Sequence, residues 1–140
     1  MRQIEEQIKD VPPARPDNLP VTGSQLRQLA DSGLFEVGSH TVHHPFLARL
    51  SPLEQSQEIG DSKAVLEEMT GKEVSSFSCP HGSYDTATSG LLKEFGYRLA
   101  CTSRHENVSQ KDDPYTLPRK VVENWDGVEF EQRIKGWIKT

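Results

Sequence analysis

The chain has 140 residues, a length that suits one domain better than two. Its 16 lysines and arginines against 21 aspartates and glutamates give a net charge of −5, which argues against a nucleic-acid-binding surface. No apolar run reaches the ~18 residues of a membrane-spanning helix, and the opening MRQIEEQIKD is too polar for a signal peptide. Two cysteines, Cys79 and Cys101, are too few for a disulfide framework, so we expect both to be reduced and buried.

The first twenty residues differ in composition from the rest. Residues 4–9 can form a short polar helix, and the VPPARPDNLP stretch after it holds four prolines in ten residues, which blocks both helix and strand. We therefore predict an N-terminal polar helix and proline-rich linker over residues 1–20, followed by one domain over residues 21–140.

Helix starts are marked by capping residues in the rest of the chain. Thr22 with Gln25 makes a capping box for a first helix, Ser51 with Glu54 makes another for a second, and Asp85 can cap a third. A final helix is predicted over residues 128–138, where apolar residues recur at helical spacing.

Four strands are predicted between these helices. They are LFEVGSH, VSSFSCP, YRLACTS and YTLPRKVV, at residues 34–40, 74–80, 97–103 and 115–122. Pro118 favours an edge or a bulge for the fourth. Strands that alternate with helices indicate the α/β class with mostly parallel strands, and the pattern leaves open whether the sheet is a barrel or an open sheet.

Histidines cluster where the first predicted strand ends. Alternation along the strand puts His40 on the face opposite Phe35 and Val37, which should point towards the helices. If a helical turn follows, His44 joins His40 on one side, as two metal ligands must, while His43 points away. A catalytic zinc takes three protein ligands. Two interpretations stay open here: a metal site that lacks one ligand, or a pair of exposed loop histidines.

A Pro-His-Gly turn ends the second predicted strand. Backbone N–H groups exposed in the turn Pro80–Gly82 can hold the oxyanion of a tetrahedral intermediate. The alternative is an ordinary strand-to-helix turn, in which Gly82 takes a positive φ. His105, in the loop after the third strand, is expected to be solvent-exposed, and Trp125 and Trp137 are expected to be packing residues.

The order and spacing of these motifs resemble the polysaccharide deacetylases, also known as carbohydrate esterase family four or the nodulation-factor deacetylase homology domain. GSHTVHHPFLARLS is similar to the family's metal-binding stretch, and FSCPHGSYD resembles its third motif. GYRLACTS with DPYTLPRKVV is similar to the tail of one bacterial branch. The resemblance runs from about Leu19 to about Val122.

The resemblance implies a distorted (β/α) barrel and a zinc-dependent hydrolase that removes N- or O-acetyl groups from an acetylated polysaccharide or oligosaccharide. It implies that His40 and His44 are metal ligands and that the backbone N–H of His81 is the oxyanion donor. The residues that would meet the substrate are Pro80, Gly82 and Tyr84.

The chain departs from the family pattern in four places. The family's paired aspartates, in a Thr-Phe-Asp-Asp-Gly type of motif, have no counterpart before His40, because Asp10 and Asp17 lie in polar or proline-rich sequence. Ser78 stands where the third motif often has arginine, and His81 replaces the usual tyrosine. The family's late Leu-x-x-His general acid is absent.

We therefore expect an incomplete barrel of mostly parallel strands, and a truncated deacetylase-type hydrolase that lacks the third ligand for zinc or another divalent metal and is inactive alone. The alternatives are a non-catalytic carbohydrate- or metal-binding remnant of such a domain, and a related amidase. A barrel without its first strands exposes sheet edges, which predicts self-association.

Overall fold

A computed structural model describes residues 19–138. The predicted polar helix, most of the predicted linker, and both Asp10 and Asp17 lie outside these residues. The described helices are α1 (Gly23–Asp31), α2 (Pro52–Thr70), α3 (Thr86–Glu94) and α4 (Gly127–Ile138). The strands are β1 (Ser76–Ser78) and β2 (Leu99–Cys101), and two short 3-10 turns cover Leu47–Arg49 and Pro80–Gly82.

The first three helices begin at reciprocal capping boxes. The pairs are Thr22 with Gln25 at α1, Ser51 with Glu54 at α2, and Asp85 with Thr88 at α3. Each cap of this kind stabilises a helix by about 1 kcal/mol. The N-termini of α1, α2 and α3 are therefore confirmed, and α2 ends as its sequence indicates, with Gly71 in the left-handed conformation.

The sheet is smaller than the sequence predicts. β1 and β2 pair in parallel, with Phe77 opposite Ala100. The first and fourth predicted strands contribute one parallel bridge each, Ser39 with Phe77 and Cys101 with Leu117. Four chain segments thus lie side by side in parallel, but within residues 19–138 only the central two are strands.

This corrects the expectation of four strands, and residues 19–138 do not show a barrel. Each outer segment has a neighbour on one side only within the described residues, so no second ladder extends it. Pro118 also removes a backbone donor directly after Leu117. Phe35, expected to point towards the helices, is 58% exposed because no regular strand forms around it. The described part of the chain is an α/β unit with a two-stranded parallel sheet.

The hydrophobic core lies between this sheet and helices α2 and α3. Its buried members are Leu47, Ile59, Val74, Phe77, Cys79, Leu92, Tyr97 and Ala100. Full burial of one large apolar side chain stabilises a fold by about 1.5–3 kcal/mol, so this cluster fixes β1 and the chain that leaves it. The Tyr97 hydroxyl is satisfied by donating to the Ile59 carbonyl at 3.2 Å.

The cysteine prediction holds for one residue of two. Both cysteines are free, but Cys79 is buried and Cys101 only half-buried. Burial raises the pKa of the Cys79 thiol to about 12, which keeps it protonated and unreactive.

The C-terminal helix α4 contributes no buried residue to the fold. Trp125 and Trp137 pack against each other with ring centroids 5.9 Å apart. None of the helices described between residues 19 and 138 combines the length and apolar character needed to cross a membrane.

Candidate metal-binding site

His40 follows the first parallel segment and lies beside the end of β1. Its Nδ1 is 2.6 Å from the carbonyl oxygen of Ser78. A carbonyl oxygen only accepts, so Nδ1 carries the proton, and in the neutral ring Nε2 then keeps its lone pair. Metal-binding histidines are commonly oriented in this way, through a hydrogen bond from the other ring nitrogen.

The chain from His40 to His44 turns through two left-handed residues. Thr41 has φ 66° and His44 has φ 57°. The His44 amide donates to Thr41 Oγ1 at 3.0 Å, which closes the turn. The His40 and His44 rings meet edge to face, with centroids 4.8 Å apart. No helical turn follows His40, and this tighter loop brings the two rings together instead.

Glu58 of α2 holds the outer side of the loop. Its Oε2 accepts from the amides of Val42 and His43 at 2.9 Å each, and its Oε1 lies 2.7 Å from His43 Nδ1. Partial burial raises the pKa of Glu58, but the hydrogen bonds from His43 and Val42 outweigh it and lower the pKa overall. His43 thus contacts α2, not the His40–His44 pair.

The second motif leaves β1 through the Pro80–Gly82 turn. The Cys79 amide donates to the Cys101 carbonyl at 2.9 Å. The chain then turns at His81 (φ 56°) and Gly82 (φ 66°). A Cβ on Gly82 would lie 1.9 Å from Ser103 Oγ, so only glycine fits the close approach between this turn and the loop after β2.

The His81 side chain joins the two motifs. Its ring stacks on Phe46 with centroids 4.0 Å apart and planes 10° apart, and it meets the His44 ring at 4.4 Å. The rings of His40, His44 and His81 therefore form a row at one rim. Within residues 19–138, no backbone hydrogen bond ties the His81 amide into the sheet.

Helix α2 also contacts the end of the second motif. Gln55 is fully buried, and its Nε2 donates to Asp85 Oδ2 at 3.2 Å while its Oε1 accepts from Thr88 Oγ1 at 2.6 Å. Hydrogen bonds, first from the Thr88 backbone and then from the Thr88 and Gln55 side chains, lower the pKa of Asp85. One helix therefore supports both motifs.

Tyr84 and His105 make no ring contact with this row within residues 19–138. Tyr84 is 36% exposed in the segment between the turn and α3. His105 is exposed in the loop after β2. Sequence reasoning missed Gln55 and Glu58, and Glu58 is one of five carboxylates in α2, with nothing in the sequence to set it apart.

The histidine pair has the donor groups of part of a zinc site, two imidazoles in ring contact, one of which is hydrogen-bonded through Nδ1 to a carbonyl. Among residues 19–138, no group of three histidine, cysteine, aspartate or glutamate side chains is placed to hold a metal ion. Ser78 Oγ, on the residue that anchors His40, is buried without a hydrogen-bond partner in the described part. An unpaired buried hydroxyl costs about 1–3 kcal/mol, so Ser78 Oγ is open to one further hydrogen bond.

Comparison with known proteins points to one family. The sequence model described as "Polysaccharide deacetylase" matches residues 4–100. YxkH of Bacillus subtilis, which its name assigns to the polysaccharide deacetylases, is 29% identical over 102 residues, covering 73% of this chain and 36% of YxkH. The chain therefore spans little more than a third of that relative.

Solved structures show a shared fold. The Streptococcus pyogenes deacetylase PplD, in complex with acetate, matches with a TM-score of 0.73 and 24% identity, over 84% of this chain and 52% of PplD. A polysaccharide deacetylase of Bacillus cereus matches with a TM-score of 0.73 and 24% identity, over 95% of this chain and 46% of that protein.

Proposed function

This chain belongs to the polysaccharide deacetylase family, and we propose that it supplies part of the metal site of a hydrolase that removes N- or O-acetyl groups from a carbohydrate. The supporting observation is the His40–His44 ring pair, with His40 Nδ1 bound to the Ser78 carbonyl. We further propose residues 21–140 as the domain unit, with residues 1–20 as a helix and linker before it. The partner is an acetylated polysaccharide or oligosaccharide.

Zinc is the proposed metal, with His40 and His44 as two of its ligands. Neutral imidazoles suit zinc, and a catalytic zinc takes a third protein ligand. The third ligand is proposed to come from outside residues 19–138, because no group of three possible ligands within them is placed to hold a metal ion. When bound, zinc supplies a Lewis acid that polarises the acetyl carbonyl and brings the pKa of water to about 7.

The Pro80–Gly82 turn is proposed to supply the oxyanion donor. The His81 ring meets the His44 ring, so the turn and the histidine pair share a rim. The His81 N–H would stabilise the negative charge that develops on the acetyl oxygen, and removal of one such donor typically slows turnover about 100- to 1,000-fold. Pro80 and Gly82 fix the turn, and Tyr84 is proposed to contact the sugar.

Proton transfer is proposed to depend on groups outside residues 19–138. A general base has to lie within hydrogen-bond reach of the proton it takes, and no carboxylate accompanies the histidine pair in the described part of the chain. The chain alone is therefore proposed to be inactive and to act as part of a larger catalytic unit. The same observation favours a second candidate, a non-catalytic metal- or carbohydrate-binding remnant.

Titration of the full chain with zinc, monitored by calorimetry, tests the metal assignment. We expect weak binding that His40→Ala abolishes and that His105→Ala leaves unchanged, since His105 is exposed and lies apart from the pair. Equal binding by wild type and His40→Ala would show that the pair is not the site.

The same preparation tests activity and association. We expect no acetate release from acetylated chito-oligosaccharides with added zinc. Robust release that His44→Ala abolishes would show that the catalytic carboxylates are present after all, with Asp10 and Asp17 as the first candidates. Leu34 (83% exposed) and Phe35 are exposed apolar residues in the segment before the Ser39 bridge, so we also propose self-association. A strictly monomeric mass by light scattering would contradict it.

A further inference from the structure

We propose that Glu58 is a positioning residue for the metal-binding pair, because its carboxylate holds the loop that presents the His44 ring to the His40 ring. The significance for metal binding rests on the function proposed above. The hydrogen bonds between Glu58 and the loop do not depend on that function.

The loop residues that the Glu58 carboxylate contacts lie between His40 and His44 in the sequence. Both Val42 and His43 donate their amides to Oε2, and the His43 ring is bound to Oε1. The Glu58 side chain is only 15% exposed, whereas that of His43 is 79% exposed. Water therefore competes weakly at the carboxylate end, where the loop is held.

The loop needs an external support because its backbone is strained. Thr41 and His44 both occupy the left-handed region, which non-glycine residues keep only when their surroundings impose it. The bond from the His44 amide to Thr41 is local and does not tie the loop to the fold. In the described part of the chain, every hydrogen bond from residues 41–44 to another element ends on Glu58.

Helix α2 is a rigid base for this support. Ile59, next to Glu58, is fully buried in the core. One turn further along, Ser62 is hydrogen-bonded at 2.7 Å to Ser39, the residue before His40. Because residues three to four apart share a helix face, Glu58 and Ser62 fix the two sides of the histidine loop from one surface.

Glu54 provides a matched control on the same helix. Its carboxylate accepts from the Ser51 amide at 2.8 Å and from the Ser51 hydroxyl at 2.7 Å, so it caps α2 and does not touch the loop. Glu54→Ala should lower the stability of the helix without moving His40 or His44. A change seen in Glu58→Ala but not in Glu54→Ala is therefore not a general effect of destabilisation.

The experiment compares the full chain as wild type, Glu58→Ala, Glu58→Gln and Glu54→Ala by NMR and by zinc titration. Without metal, Glu58→Ala is expected to speed amide hydrogen exchange at Val42 and His43 at least about tenfold and to remove the nuclear Overhauser contact between the His40 and His44 rings. With zinc, affinity should fall about 10- to 100-fold, the usual effect of losing a group that orients metal ligands. Glu58→Gln keeps one acceptor oxygen and should lie between wild type and Glu58→Ala.

Four outcomes separate the claims. Unchanged exchange and ring contact in Glu58→Ala overturn the proposal, and so does loosening of the loop with no loss of zinc affinity. If Glu58→Ala does not fold, a Glu58→Gln variant identical to wild type on both measurements overturns it. If the wild type takes up no zinc at His40 and His44, the proposed function fails, and the metal-free comparison still decides whether Glu58 holds the loop.

Discussion

The Pro80–Gly82 turn and the His40–His44 loop meet ring to ring at one rim, but different structures hold them there. The turn continues directly from β1, whose Phe77 is 3% exposed in the core. The loop follows a single bridge at Ser39 and is tied to the fold through a side chain of α2. The turn should therefore be sensitive to changes in volume, and the loop to the loss of single hydrogen-bonding groups.

Gly82→Ala is expected to break the turn and to have the largest effect on stability. A left-handed alanine costs about 1–2 kcal/mol and overpacking against Ser103 about 1–3 kcal/mol, so the total loss should be about 2–5 kcal/mol. Gly71→Ala is the control, because Gly71 has φ 67° and nothing within 4 Å of its Cβ position. Urea unfolding, monitored by circular dichroism, measures the free energy of unfolding of both variants. Equal losses of stability would show that the contact with Ser103 is not tight.

Gln55→Ala removes the buried side chain that hydrogen-bonds the segment after the Pro80–Gly82 turn. Thr88 Oγ1 loses its 2.6 Å acceptor and Asp85 loses a donor, which should cost about 1–3 kcal/mol in the free energy of unfolding. Gln57→Ala, an exposed glutamine on the same helix, should change it by less than about 0.5 kcal/mol. Similar values for the two variants would show that the buried network contributes nothing.

Asp85→Asn should have the smallest effect, visible only in acid. The pKa of Asp85 in the folded chain lies below its ordinary value of 3.8. The carboxylate therefore stabilises the fold above that value, and the contribution is lost as the pH falls through the lower folded pKa. As the pH falls through 3.8 and below, the wild type should lose stability more steeply than Asp85→Asn. Because the groups that lower the pKa of Asp85 are neutral hydrogen-bond donors, added salt should change the stability difference between the two proteins little. Parallel curves of unfolding free energy against pH would contradict the prediction.

Much of the fold could be predicted because its signals are local. The capping boxes at Thr22, Ser51 and Asp85 place three helix starts by contacts that span three residues. Strand extent could not be predicted in the same way, because a ladder needs a neighbour on each side. The segment around Ser39 has strand-like sequence and still makes one bridge.

For the same reason, only part of the candidate site could be predicted from the sequence. His40, His44 and His81 could be proposed from strand ends and motif spacing, and the structure brings their rings together. The left-handed backbone at Thr41 could not be predicted, because threonine carries no preference for it. Glu58 makes its contacts only when α2 packs beside the loop, and the residues next to it in the sequence do not predict this packing.

The packing of the C-terminal helix has an optical consequence. Both tryptophans of the chain, Trp125 and Trp137, pack against each other in the C-terminal region, whereas Tyr97, one of three tyrosines, is buried in the core. Indole emission will therefore follow the environment of α4, and only the Tyr97 share of the tyrosine absorbance will follow the interior. Recorded side by side during unfolding, the two signals would show whether the C-terminal helix detaches before the core melts.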